Sequence, residues 1–236
     1  MKSILLLVDL PTTDSESTLP NAWEEIEDAV MALGAAAVSS GAQLVCSGHR
    51  TLAPLLALTA QAYSSSEPAE SKKSEKPEPS VLFYSLAENE SGLQLKSLSA
   101  LSGVDLLSGK FESVLERTDP EGVVSIGGTH RTRYELEIYL SWRKRREKPL
   151  NVFILGMTGG TAQSLEREQF PGRHFGNEFV ARFRHLLSEH QRKNQPVSGR
   201  EEKVKDESEK FYVPYAVITQ MIVYEILNGK PWQRSG

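Results

Sequence analysis

The chain has 236 residues, of which 39% are hydrophobic and 25% are charged, a composition typical of one sizeable globular α/β domain that leaves little room for a second. The formal net charge of −4 gives the whole chain no attraction to nucleic acid or to anionic membranes. The single cysteine, Cys46, excludes a disulfide framework and a cysteine-based metal cluster, so we expect a protein of the reducing cytosol.

Short apolar runs predict the strands of the protein. The five runs are Ile4 to Val8, Gln43 to Cys46, Val81 to Tyr84, Val123 to Ile126 and Val152 to Leu155. Continuous runs of this kind are typical of parallel strands that are covered on both faces. The first run is too short for a membrane span and lacks a small-residue cleavage pattern, so we interpret it as a buried strand and predict no membrane partner.

Segments with helical periodicity alternate with these runs. They are residues 22–37, Leu52 to Tyr63, Phe111 to Arg117, Arg133 to Arg146 and a final apolar helix within residues 211–227. Strands that alternate with helices predict an α/β fold, namely a Rossmann-like, doubly wound and mainly parallel five-stranded sheet flanked by helices. In such a fold the ligand is expected beyond the carboxyl ends of the strands.

Two segments differ in composition from this core. Residues 64–80 and 191–209 are rich in Ser, Glu, Lys and Pro and are too poor in apolar groups to offset the entropy lost on ordering. We therefore predict one domain over residues 1–236 that carries two flexible insertions.

The stretch GGTHRT, residues 127–132, follows the fourth apolar run and precedes a helix. Glycine after a strand permits a close approach of the backbone to a ligand, and a helix start offers free N–H groups and a favourable dipole to an anion. The hydroxyl, imidazole and guanidinium groups of this stretch are donors that suit phosphate. The alternative interpretation is a tight turn and a solvated, polar helix start.

Two further loops place small, basic or hydroxyl residues directly after strands. GHRT follows the second run, and TGG follows the last. Three such loops at one edge of a parallel sheet predict a phosphorylated or nucleotide-like small molecule as the ligand. The predicted contacts are Gly48, His49, Arg50, Thr51, Gly127, Gly128, Thr129, His130, Arg131, Thr132, Thr158, Gly159 and Gly160.

The three loops together resemble the SLOG superfamily, the Rossmann-like fold shared by lonely-guy cytokinin-activating enzymes and by nucleotide-sensing domains. The resemblance rests on GHRTLAPL, IGGTHRTRYE and GMTGGTA in this order, and it extends from Ile4 through the last helix. It implies a nucleotide or ADP-ribose-type ligand, with Glu135 in contact with the ribose hydroxyl groups. A sensor of this kind would act through a separate effector protein.

Lonely-guy enzymes instead hydrolyse the N-glycosidic bond of a nucleoside monophosphate. For this alternative the resemblance implies that Glu135 acts on the glycosidic bond together with Arg131 or Arg50. Glu135 is displaced by a residue or two from its place in the lonely-guy pattern P-G-G-x-G-T-x-x-E. We therefore favour binding over hydrolysis.

Other charged and apolar patterns have simpler interpretations. The basic run Trp142 to Lys148 makes DNA binding a third hypothesis, but cations at the end of a helix complement its dipole. The histidines lack the spacing of a metal site, and no metal or other cofactor is predicted. Glu135 and Glu137, two apart on a helix, should point to different sides. An apolar stripe in residues 175–187 is typical of a core or of a homodimer surface.

Overall fold

The computed structural model describes residues 1–10, 22–49, 51–65, 79–85, 96–169 and 215–230. The predicted ligand contact Arg50 lies outside these residues. The apolar stripe in residues 175–187 and the predicted insertions, apart from residues 64–65 and 79–80, also lie outside them.

The described residues form an α/β fold with one six-stranded, fully parallel sheet of order β4-β3-β2-β1-β5-β6. The strands are β1 (Ser3–Asp9), β2 (Gln43–Ser47), β3 (Val81–Ser85), β4 (Val104–Ser108), β5 (Gly122–Gly127) and β6 (Val152–Leu155). The Rossmann-like architecture is confirmed, but the predicted number of five strands is wrong. The missed strand, β4, lies at the edge of the sheet with Asp105 and Ser108 exposed, so its sequence shows no continuous apolar run.

Helices cover both faces of this sheet. They are α1 (Ala22–Ser39), α2 (Leu52–Ser65), α3 (Phe111–Thr118), α4 (His130–Arg145), α5 (Gly160–Glu168) and α6 (Tyr215–Asn228). Helix α4 begins three residues earlier than predicted because Thr129 caps it. In the described ranges, no helix has the length and apolar character needed to cross a membrane.

The core is divided by the sheet into two layers, which explains the continuous apolar runs. Ile4 and Leu6 of β1 belong to the layer that contains α1, α2 and α6, whereas Leu5 and Leu7 belong to the layer that contains α3, α4 and α5. All four side chains are fully buried. Burial of one such side chain stabilises a fold by about 1.5–3 kcal/mol, so helices on both faces are required.

The order of the strands reverses at β1. Strands β2 to β4 lie on one side of β1, and β5 pairs with its other side. Asp9 and Gly127 are the last residues of these two strands and are partners in the register. The switch point of this sheet, where ligands of such folds bind, is therefore at Asp9 and Gly127.

Candidate functional site

Asp9 connects the two strands at the switch point. One carboxylate oxygen, Oδ2, accepts a hydrogen bond of 2.7 Å from the hydroxyl group of Thr129, and the backbone carbonyl of Asp9 accepts one from the amide of Gly128. The other oxygen, Oδ1, lies 3.5 Å from Nε2 of His49. The loops after β1, β2 and β5 therefore meet at one carboxylate, which is about a quarter exposed.

His49 is held in one orientation at this junction. Its Nδ1 accepts a hydrogen bond of 3.2 Å from the amide of Thr51, so the proton of the neutral ring lies on Nε2 and faces Asp9. Burial lowers the pKa of His49; Asp9 opposes this effect and Arg131 adds to it. At neutral pH the imidazole is therefore an uncharged donor beside a carboxylate.

Arg131 is the cation of the site, and a buried carboxylate holds it. Its Nε donates a hydrogen bond of 2.9 Å to Oε1 of Glu135, one turn further along α4. The Arg131 side chain is 44% exposed, whereas the Glu135 side chain is 4% exposed. Within the described part of the chain the Nη atoms of Arg131 make no hydrogen bond, so they remain as donors for an external anion.

Tyr84 completes the environment of Glu135. Its hydroxyl group donates a hydrogen bond of 3.1 Å to Oε2 of Glu135. Burial raises the pKa of Glu135, and the donors Arg131 and Tyr84 oppose that rise. Burial and the Glu135 charge raise the pKa of Tyr84 well above its ordinary value, so the phenol keeps its proton and is the donor. Glu137 is exposed, which confirms the predicted separation of the two glutamates.

The two glycine loops after β5 and β6 pack against each other. The amide of Thr161 donates to the carbonyl of Gly128, and the amide of Gly127 donates to Oγ1 of Thr158. Gly160 has a φ of +58°, and a Cβ there would lie 2.7 Å from the carbonyl oxygen of Gly128. Contact between the loops is thus sufficient to explain Gly160 without a ligand.

Some of the other predicted ligand contacts lie beside the site, and others stabilise the starts of the helices that border it. Gly48 and Thr51 flank His49, and His130 is exposed at the first turn of α4. Thr132 is buried and accepts a hydrogen bond at its Oγ1 from the amide of Thr129, which completes a capping box. Gly159 is the N-cap of α5. Among the described predicted residues, the ring of His49 lies 3.5 Å from the carboxylate of Asp9, and the charge of Arg131 interacts with that carboxylate.

Two residues of the site were not predicted from the sequence. Asp9 follows the first apolar run directly, and its place at the carboxyl end of a strand is the signal for a ligand-binding position that the sequence offers. Tyr84 lies in the apolar run of β3, where nothing in the sequence distinguishes it from a core residue.

Three of the five basic residues in the run at the end of α4 are engaged by the protein itself. Arg143 is buried and donates hydrogen bonds to the carbonyl groups of Pro120, Glu121 and Pro149. Arg146 pairs with Glu116, and Lys148 pairs with Asp119. The contacts of these three residues favour a structural role over DNA binding.

The site contains no arrangement typical of a metal centre. In the ranges that the structure describes, no group of three or more His, Cys, Asp and Glu side chains is placed to hold a metal ion. Cys46 is fully buried, and burial raises the pKa of its thiol. We therefore argue the chemistry of the site from Asp9, His49, Arg131 and Glu135.

Comparison with known proteins gives one structural likeness. No family model matches the chain, and no curated protein matches it. The chain is similar to the X-ray structure of TM1055, a target of the Northeast Structural Genomics Consortium, with 20% sequence identity over 70% of this chain and 81% of that chain and a TM-score of 0.41. A likeness at this level says nothing about function.

Proposed function

We propose that the chain is a SLOG-like domain that binds a nucleotide or an ADP-ribose-type ligand at the carboxyl ends of β1, β2 and β5. The proposal treats residues 1–236 as one ligand-binding domain. As a sensor, it would pass the signal of an occupied site to a separate effector protein. Its location in the cytosol stays a prediction.

The observation that carries this proposal is the ion pair of Arg131 and Glu135 beside the switch point. A buried carboxylate binds the guanidinium through Nε, so the side chain is ordered before a ligand arrives. Its Nη atoms remain available at the solvent-exposed side, and two such donors match the oxygens of one phosphate group. Ordering of the cation in advance reduces the entropy that binding would cost.

Asp9 gives the site its second recognition element. Its carboxylate lies beside the N-terminus of α4, so it occupies part of the region where the helix dipole would attract a phosphate group. A second anion directly at Asp9 would be repelled. The proposal therefore places a ribose hydroxyl group near Asp9 and His49 and a phosphate group near Arg131.

The geometry of Glu135 favours binding over N-glycosidic hydrolysis. Both of its carboxylate oxygens have donors, Arg131 and Tyr84, and its side chain is 4% exposed. A group that stabilises positive charge on a sugar must face that sugar. In the described conformation Glu135 faces its own partners, and we assign it the role of holding Arg131.

A thermal-shift assay combined with product analysis tests the proposal. The panel consists of AMP, an N6-substituted AMP, NAD, ADP-ribose and cyclic ADP-ribose. A ligand at about 100 times its dissociation constant should stabilise the native protein by about 2.7 kcal/mol. Arg131→Ala should lose the shift in melting temperature. Arg133→Ala is the matched control, because Arg133 lies on the same helix but pairs with Glu168.

The outcomes separate the candidate functions. Stabilisation by an intact ligand, lost in Arg131→Ala and kept in Arg133→Ala, supports a binding domain. Release of a free base that is abolished in Glu135→Gln would replace that function with hydrolysis. A shift that is equal in both arginine variants, or the absence of any shift across the panel, contradicts the proposal.

A further inference from the structure

Tyr84 reaches the candidate site from a strand that does not border the switch point. Strand β3 is separated from β1 by β2. The Tyr84 side chain is fully buried, and its ring packs against that of Phe111 in α3 at a centroid distance of 5.4 Å. Its hydroxyl group reaches the site through the hydrogen bond to Oε2 of Glu135. Ring packing fixes the position of this donor.

The carboxylate of Glu135 depends on this donor. Among the described residues it accepts hydrogen bonds from Arg131 at Oε1 and from Tyr84 at Oε2. Removal of the phenol oxygen would leave Oε2 buried without a donor, which disfavours the charged form. A neutral Glu135 would no longer attract the guanidinium of Arg131.

We propose that Tyr84 is a positioning residue, whose hydrogen bond keeps the Glu135 carboxylate ionised and oriented so that it holds Arg131 toward the ligand. The part of this inference that concerns ligand affinity rests on the proposed function. The part that concerns Glu135 does not, because the hydrogen bond exists in the free protein.

Several charged or polar groups interact with Glu135 and Tyr84, and each favours either the charged or the neutral form of its neighbour. Arg131 faces Glu135 from the same helix and favours its charged form, as Tyr84 does from β3. Asp9 acts on Glu135 from β1 and favours the neutral form. The thiol of Cys46 in β2, which burial keeps protonated, lies in the core layer on the opposite face of the sheet from Tyr84. Of the three groups that act on Glu135, the Tyr84 hydroxyl is the one that a conservative substitution removes without a change in net charge.

The test compares Tyr84→Phe with Tyr139→Phe. Both substitutions remove the hydroxyl group of a fully buried tyrosine and keep the ring, but the hydroxyl group of Tyr139 has no hydrogen-bond partner among the residues that the structure describes. The first measurement is a titration of the Glu135 carboxyl carbon by NMR in the free protein. Tyr84→Phe should raise the pKa of Glu135 above that in the wild type, and Tyr139→Phe should leave it unchanged. Equal midpoints in the wild type and in Tyr84→Phe would overturn the inference.

The second measurement is the affinity for ADP-ribose as a function of pH. Loss of a hydrogen bond to a charged group should weaken binding about tenfold in Tyr84→Phe. The loss should be largest between the two pKa values of Glu135, where the carboxyl group is ionised in the wild type and neutral in the variant. In an Arg131→Ala background the same substitution should cause no additional loss. An equal loss in both backgrounds would show that Tyr84 acts by general distortion and would overturn the inference. If the wild type does not bind ADP-ribose, the proposed function fails for that ligand, and the NMR titration still decides the role of Tyr84.

Discussion

The hydroxyl group of Thr129 donates a 2.7 Å hydrogen bond to the carboxylate of Asp9, and this contact ties the start of α4 to the end of β1. The same hydroxyl oxygen accepts a hydrogen bond from the amide of Arg131. One side chain therefore caps the helix that carries the cation of the site and fixes the carboxylate beside it. The relative position of the two charges depends on Thr129.

The contact predicts that Thr129→Ala destabilises the protein. Loss of an N-cap and of a hydrogen bond to a carboxylate should lower the free energy of unfolding by about 1–2 kcal/mol. Thr129→Ser keeps the hydroxyl group and should restore most of this loss. Urea denaturation of the three proteins measures the difference, and equal stabilities for the alanine and serine variants would show that the hydroxyl group contributes nothing.

The packing of the two glycine loops predicts that alanine lowers the free energy of unfolding by different amounts at two glycines with positive φ. Gly41 has a φ of +69° and open space around the position of a Cβ, whereas Gly160 has a φ of +58° and a backbone oxygen 2.7 Å from that position. Gly41→Ala should cost about 1 kcal/mol from backbone strain alone. Gly160→Ala should cost about 3 kcal/mol or more, because the loops must also move apart.

Urea denaturation of both variants measures these costs, and Gly41→Ala supplies the reference for strain without a clash. If the two variants are equally stable, the close contact of the loops after β5 and β6 is not present in solution. The glycine at position 160 would then have to be explained by something other than the packing of the two loops.

The burial of Glu135 predicts a pH dependence of stability. Because burial raises the pKa of Glu135 above its ordinary value of 4.5, the folded protein binds this proton more tightly than the unfolded chain does. The favourable contribution of Glu135 protonation to the free energy of unfolding is complete below pH 4.5. It is lost as the pH rises through the pKa of Glu135 in the folded protein. Glu135→Gln does not titrate, so the stability of the wild type relative to this variant should fall across that window.

Urea denaturation at several pH values measures this difference, with Glu137→Gln as the exposed control on the same helix. The control should show no comparable trend. A relative stability of the wild type that rises with pH would mean that the ion pair with Arg131 outweighs burial and holds the pKa of Glu135 below 4.5.

Much of the fold was predictable because its signals are local. Five strands appear as continuous apolar runs, since helices cover both of their faces, and the loops after β2, β5 and β6 follow these runs directly. The edge strand β4 gives no such signal, because three of its five residues are exposed or partly exposed. The other edge strand, β6, was predicted, because three of its four residues are buried. Local patterns thus identify the strands whose residues are mostly buried.

The site was less predictable because it depends on contacts between distant parts of the chain. Tyr84 and Glu135 are 51 positions apart, and Asp9 and Thr129 are 120 positions apart. The predicted helix 133–146 contained Glu135 but left Arg131 in the preceding loop. Pattern and spacing also do not reveal that Glu135 is buried with a donor on each oxygen. The roles of these residues follow from the order of the strands.

The most direct test of the ligand site is a titration with ADP-ribose followed by ¹⁵N–¹H NMR of the backbone amides and of the Nε–Hε group of Arg131. The account predicts that the largest shift changes lie at Leu10, Gly48, Gly128 and Arg131, which border the switch point. Changes concentrated in the basic run 142–148 at the end of α4, or no changes at the switch point at a saturating ligand concentration, would contradict it.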